Sequence, residues 1–264
     1  MIRIKMLLWF CRRPTFWPHL IFLLLNKVRK GRDRPEDATQ ARSWSEKHKE
    51  PFADVLLKLG LLDEKGNIPK MPKNELEEAR SKVASISTHM GGAADLELLY
   101  AVVTLLRAEN VVETGVAYGW SSLAILSAQE RSCINGSLVS VDMPYPLRNN
   151  ENFVGMVVSK KYHDRWTLLR VPDRVGLRKA IGAFNSKIDL CHYDSDKSWY
   201  GRSFAYPILW ASLRSGGIFI SDDIQDNLFF KEFCEKVDSD FFVTEVRGKY
   251  IGILKKPEMA QSGA

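Results

Sequence analysis

Val111-Val112-Glu113-Thr114-Gly115-Val116-Ala117-Tyr118-Gly119-Trp120-Ser121-Ser122-Leu123 joins a β-branched run to a turn with two glycines, then to an apolar segment opening on serines. Such a pattern reads as strand, tight turn and helix start. The turn would aim backbone N–H groups at a helix N-terminus, an end that carries partial positive charge and suits the carboxylate of a small ligand. Gly115 and Gly119 would let that ligand approach the backbone without a Cβ in the way. Farther on, Leu138-Val139-Ser140-Val141-Asp142 reads as a second strand ending in an acid, placed to accept the hydroxyls of a ribose. A nucleoside-containing cofactor is therefore expected, with Glu113, Gly115, Gly119, Ser121 and Asp142 around it.

The spacing argues against a dinucleotide, and an NAD-dependent oxidoreductase is the lesser alternative. Those enzymes need three glycines as GxGxxG to seat a pyrophosphate, and only Gly115 and Gly119 are present. Acid, x, Gly, three residues, Gly is instead how the first motif of class I S-adenosylmethionine-dependent methyltransferases reads. The chain resembles that family over roughly residues 85 to 255. The resemblance implies a Rossmann-like, doubly wound, mostly parallel seven-stranded α/β sheet with an antiparallel C-terminal strand.

Working outward, residues 94–107 are apolar almost all round and are expected as a helix buried against the sheet. Residues 143–164, with two prolines, read as part loop and part helix. Trp166-Thr167-Leu168-Leu169 is a third strand and residues 175–184 a helix; Asp173, just after that strand, is a candidate adenine contact. Ile188-Asp189-Leu190-Cys191-His192-Tyr193-Asp194 is a fourth strand, followed by a helix through Leu213. Gly217-Ile218-Phe219-Ile220-Ser221-Asp222-Asp223 is a fifth. Residues 229–237 are helical, and residues 241–245 and 250–254 form a closing hairpin across Arg247-Gly248-Lys249. Strands alternating with helices imply a parallel sheet covered on both faces.

Ligands of such sheets bind beyond the carboxyl ends of the strands. Glu113, Asp142, Asp194, Asp196, Lys197, Asp222 and Asp223 are expected to converge there. Asp194, Asp222 and Asp223 could hold a metal, and carboxylates without His or Cys favour a hard cation such as Mg²⁺. The competing reading is that Asp222 and Asp223 cap the next helix.

The segment from Ile188 to Tyr200, with Ser215 to Asp223, resembles the metal-dependent O-methyltransferases of the catechol type. It resembles still more the small-molecule and glycan O-methyltransferases with an Asp-Gly-Asp-His-Ser-Tyr motif. The first group implies that Asp194, Asp222 and Asp223 hold Mg²⁺ and that Lys197 takes the proton from the attacking hydroxyl. In the second group the position of Lys197 is usually histidine, so the base is open between Lys197 and a histidine. His89, in a Gly-containing loop expected to fold over the site, is the histidine candidate. A lysine beside carboxylates is more often an ion-pair partner than a base, and His192 reads as a core residue. The implied reaction moves the sulfonium methyl of S-adenosylmethionine to a hydroxyl of a small molecule or glycan. Two alternatives stand beside it: the same transfer without a metal, or a membrane-associated protein that keeps the fold without catalysis.

At 264 residues the chain holds one α/β domain with additions. Residues 1–34 carry nine Lys or Arg against Asp33, a charge of +8 that leaves −2 for the remainder of the formal +6. A basic patch remote from the site argues against a nucleic-acid partner. The same segment is rich in Trp, Phe and Leu, and its uncharged run is too short to span a bilayer. It reads equally as an element lying on an anionic membrane or as one packed on the protein body or on a second subunit, the last giving a homo-oligomer. The charge-dense residues 31–50 read as a linker. Residues 51–87 read as a helical cap concerned with substrate selection, its second helix capped by Asn74 with Glu77. The divisions are thus 1–34, 35–87, 88–257 and a tail at 258–264. Cys11, Cys133, Cys191 and Cys234 have no pairing pattern and are expected free and mostly buried, in a reducing cytoplasmic setting or at the inner face of a membrane.

Overall fold

The computed structural model describes residues 2–28, 32–63, 66–146 and 150–258. The expected tail from residue 259 and the segment joining the basic N-terminus to the expected linker, residues 29–31, lie outside the described residues.

The organising stretch folds as read: β1 (Asn110–Thr114) runs into a turn and then α7 (Trp120–Arg131). β2 (Ser137–Val141) and β4 (Ile188–Tyr193) pair in parallel on either side of β1. Around them stand β3 (Trp166–Leu169), β5 (Leu213–Ser221), β6 (Phe241–Val246) and β7 (Lys249–Lys255), in the order β3-β2-β1-β4-β5-β7-β6. Only β7 runs against its neighbours on both sides. The reversal of strand order at β1 and β4 opens the crevice where ligands of such sheets sit.

Alternation along the strands divides the core in two. Val111, Leu190, Ile218 and Ile251 face one side, packed with α6 (Leu96–Leu106) and α7. Val112, Cys191, Phe219 and Leu254 face the other, packed with α8 (Asp173–Gly182), α9 (Trp199–Ser212) and α10 (Phe229–Val237). The helix expected over residues 94–107 starts at Leu96, because the Asp95 carboxylate accepts the Leu98 amide at 3.0 Å.

Three expectations need correction. The linker is a helix, α3 (Pro35–His48), followed by Lys49, which bridges to Val243 on the sheet edge. Trp44 lies against Phe241 with ring centroids 5.1 Å apart, while small buried Ala41 and Ser45 let the helix lie close. In the cap, α4 (Phe52–Lys58) is followed by α5 (Lys73–Ala84), which starts after Pro72 without a side-chain cap, so Asn74 does not cap it. Glu75 is the working acid there: it is buried and accepts from Arg131 at 2.9 Å, Lys161 at 3.2 Å and Tyr162 at 3.0 Å, tying the cap to α7. All four cysteines are free as expected, but Cys11 and Cys133 are exposed and only Cys191 and Cys234 buried.

The basic N-terminus forms α1 (Ile2–Cys11) and α2 (Trp17–Val28). Phe10, Phe16 and Phe22 are buried, so this segment packs on the body by one face. No helix among the described residues is long and apolar enough to cross a membrane.

Candidate active site

Two cavities share a wall at the β1–α7 turn. The larger, of about 330 Å³, is lined by Gly115, Asp142, Asp173, Asp194 and Asp196, with Tyr145, and is walled by His19 and Leu23 of α2. The smaller, of about 170 Å³, is lined by Met90 to Gly92, Val116, Ser121, Lys197 and Lys249. Gly115, Tyr145, Asp194 and Ser195 border both.

The glycines serve the chain more than the ligand. Gly115 has φ +78°, and a Cβ there would collide with the Asp194 carbonyl, so Gly is what lets β1 and β4 exit side by side. Gly119, with φ +93°, faces Gly155 and Val158 and lines neither cavity. Glu113 is also withdrawn. It is fully buried, its Oε2 accepts from Ser122 at 2.5 Å and Ser140 at 2.7 Å, and it lines neither cavity. The acid of the motif thus braces the turn from behind. Ser121 does reach the smaller cavity, in the first turn of α7.

Asp142 lies at the end of β2, as expected, and lines the larger cavity. Burial pushes its carboxyl up to about 6, against the pull of Arg170, whose Nη1 donates to Oδ2 at 2.5 Å and to the Asp142 carbonyl at 2.7 Å. Arg170 also grips Glu151 at 2.9 Å, fixing the loop after β2. Asp173 lines the same cavity and accepts from Ser195 Oγ at 2.5 Å; burial pushes it up to about 7. Carboxyls raised by desolvation in one cavity favour a ligand that brings positive charge.

Around the smaller cavity the carboxylates are already paired with lysines. Lys197 Nζ lies 3.1 Å from Asp194 Oδ1 and donates to Asp223. Lys249 Nζ lies 3.1 Å from Asp223 Oδ1. Burial alone would raise the Asp223 carboxyl, yet the two lysines hold it below its usual range. Burial would lower Lys197, but Asp194 and Asp223 raise it above the ordinary lysine value, so it is an ammonium at neutral pH and not a free base. Burial and the charge of Asp222 push Asp194 up to about 6.

Asp222 turns elsewhere: its Oδ1 lies 3.4 Å from His192 Nε2. His192 Nδ1 lies 3.5 Å from Glu113 Oε1, which puts a fully buried imidazole between two acids. Burial would lower that imidazole, but Asp222 and Glu113 raise it to about 10. Among the described residues no group of three or more His, Cys, Asp or Glu is placed to hold a metal ion. The expected triad of Asp194, Asp222 and Asp223 therefore does not fit Mg²⁺ here, because each carboxylate faces a cationic side chain.

The backbone explains the divergence. Asp223 sits at φ +53°, a left-handed conformation unusual for a non-glycine residue, and the fully buried Arg202 holds it there. Arg202 Nη2 donates to the Asp223 carbonyl at 2.6 Å, and Nη1 to Asn227 Oδ1 at 3.3 Å. His89 is exposed and lines neither cavity, although its neighbours Met90 to Gly92 do. Nor do α4 or α5 of the cap line them; the loop after α5 does. Arg170, Arg202 and Lys249 escaped sequence reading, since none belongs to a motif and each acts across at least 20 residues.

A family model described as a methyltransferase domain matches residues 112–224, from β1 through Asp223. The matched span, less than half of the chain, is similar to a methyltransferase domain. Solved structures similar to it include an SAH-bound methyltransferase from Podospora anserina, at TM-score 0.54 and 14% identity over 84% of this chain and 97% of that one. The cofactor-bound Rv0187 from MTB follows at TM-score 0.53 and 17% identity, over 71% and 91%. An O-methyltransferase from Bacillus cereus in complex with SAH gives TM-score 0.50 and 16% identity, over 72% and 93%. At these identities the likeness establishes the fold. Comparison with curated proteins finds no match. The matched span holds Asp142 and Lys197 but stops short of Lys249, and it leaves out the helix that walls the larger cavity.

Proposed function

We propose that this methyltransferase transfers the methyl group to a hydroxyl oxygen of a small molecule or glycan without a bound metal. What carries the reading is the junction of the two cavities. An acid-lined chamber suited to a cationic nucleoside cofactor shares Gly115, Tyr145, Asp194 and Ser195 with a smaller chamber bearing Lys197 and Lys249. S-adenosylmethionine supplies an electrophilic sulfonium methyl: the S–CH₃ bond breaks as the O–CH₃ bond forms.

The residues divide the remaining work. Asp142 receives the ribose hydroxyls, with Arg170 fixing its orientation. The Val116 amide already donates to Asp142, so the turn and the acid are held as one unit. Lys197 and Lys249, as ammonium groups beside the acceptor, favour its oxyanion. Asp194 takes the hydroxyl proton; a carboxyl poised at about 6 is matched to proton transfer near neutral pH. Seating both partners in adjoining chambers supplies near-attack geometry.

The test is transfer of labelled methyl from S-adenosylmethionine to a panel of hydroxylated acceptors, with and without EDTA. Turnover unaffected by the chelator is expected. Turnover that EDTA abolishes and Mg²⁺ restores would return the metal to the mechanism, and transfer only to nitrogen or carbon acceptors would overturn the oxygen assignment.

A further inference from the structure

Among the described residues, nine of the eleven large apolar side chains left exposed fall within residues 4–25. They are not scattered. On α2, Trp17, Ile21, Leu24 and Leu25 recur at helical spacing, each about half exposed, and on α1 Ile4, Leu7 and Leu8 do the same. The opposite face of α2 is committed to the protein: Phe22 is buried with the Arg174 guanidinium 3.4 Å from its ring centroid, and Leu23 and His19 wall the larger cavity. Arg174 also lies 4.2 Å from the Phe204 ring centroid, which ties the Phe22 side of the helix to the domain.

We infer that residues 4–25 form a docking surface for an anionic lipid bilayer, seating the protein so that the wall of its cofactor cavity lies at the membrane. The chemistry of the patch selects this occupant. An apolar stripe flanked by exposed Lys5 and Arg12, with no acid in residues 1–32, meets both needs of a surface-lying helix: acyl contact and headgroup charge. A second copy of the chain fits badly. A two-fold contact through this face would set Lys5, Arg12 and Arg13 of one copy against the same residues of the other with no acid between positions 4 and 25, and like charges across an interface oppose association. The helices lie on the bilayer and do not enter it, for α2 has 12 residues and a span needs about 20.

The experiment is flotation of the full-length chain with vesicles of phosphatidylcholine alone or with phosphatidylserine, read without any methyl transfer and so independent of the proposed reaction. Flotation is expected with phosphatidylserine vesicles and should weaken as salt is raised. The double substitution Ile21→Glu and Leu24→Glu should abolish it, as should Leu7→Glu with Leu8→Glu, with thermal melting unchanged in at least one pair. Arg12→Glu should weaken it about fivefold or more, the effect of one basic residue near an anionic surface. A wild-type chain that stays at the bottom of the gradient overturns the inference. So does flotation that survives both double substitutions, or a dimer in solution that the same substitutions dissociate while vesicles are ignored.

Discussion

The ammonium of Lys249, on the strand that runs against both its neighbours, stands 3.1 Å from Oδ1 of Asp223 at the end of β5, and the same carboxylate is held by Lys197. Both lysines line the smaller cavity, where an acceptor oxygen would develop negative charge. Lys249→Met should lower kcat by about 10²-fold, the usual cost of losing one donor to a developing oxyanion. Cofactor affinity should stay within about twofold, because Lys249 does not line the larger cavity. Steady-state kinetics with a separate cofactor titration decide it, and an unchanged kcat would remove Lys249 from the reaction.

Proton transfer to Asp194 makes a pH prediction. Burial holds this carboxyl up at about 6, so it must be ionised to accept a proton, and activity should be lost as pH falls through about 6. Asp194→Asn should remove that acid limb together with most of the turnover. An acid limb that persists unchanged in residual Asp194→Asn activity would assign it to another group.

The strands and the order of motifs are legible because two periodicities, 2 and 3.6, mark a parallel sheet covered on both faces. Asp142 could be read at the end of β2 because an acid after an apolar run has few structural reasons to be there. What could not be read is direction. Asp222 and Asp223 are adjacent, yet one faces His192 and the other two lysines, since the left-handed backbone at Asp223 turns it away. That turn is held by Arg202, about twenty positions earlier, and no local pattern announces it. Within residues 31–50 the helix does have local signals. Pro35 at the first helical position, Glu36 and Asp37 in the first turn and Lys47 with His48 in the last are helix signals, masked by the weak apolar stripe.

Asp142→Asn keeps the size of the side chain and removes the charge that Arg170 grips. Hydrogen bonds to a charged acceptor are worth about 1.5–3 kcal/mol, so S-adenosylmethionine affinity should fall by about 10- to 100-fold in calorimetric titration. Thermal melting alongside separates a lost contact from a lost fold. Wild-type affinity in a folded Asp142→Asn protein would refute the role given to this carboxylate.

His192 is fully buried between Glu113 and Asp222, and this pair of acids raises it to about 10 although burial alone would lower it. Its folded value lies above the ordinary 6.5, so the charged imidazole contributes its full stability below pH 6.5. That contribution is lost as pH rises through about 10. His192→Gln leaves two buried acids without their cation, and breaking such an arrangement costs on the order of 3–5 kcal/mol. Urea unfolding should show that loss at pH 6 to 7 and a progressively smaller difference from wild type toward pH 10. A difference that is constant across this range would mean that the histidine is neutral in the folded protein and that packing, not charge, is what the substitution removes.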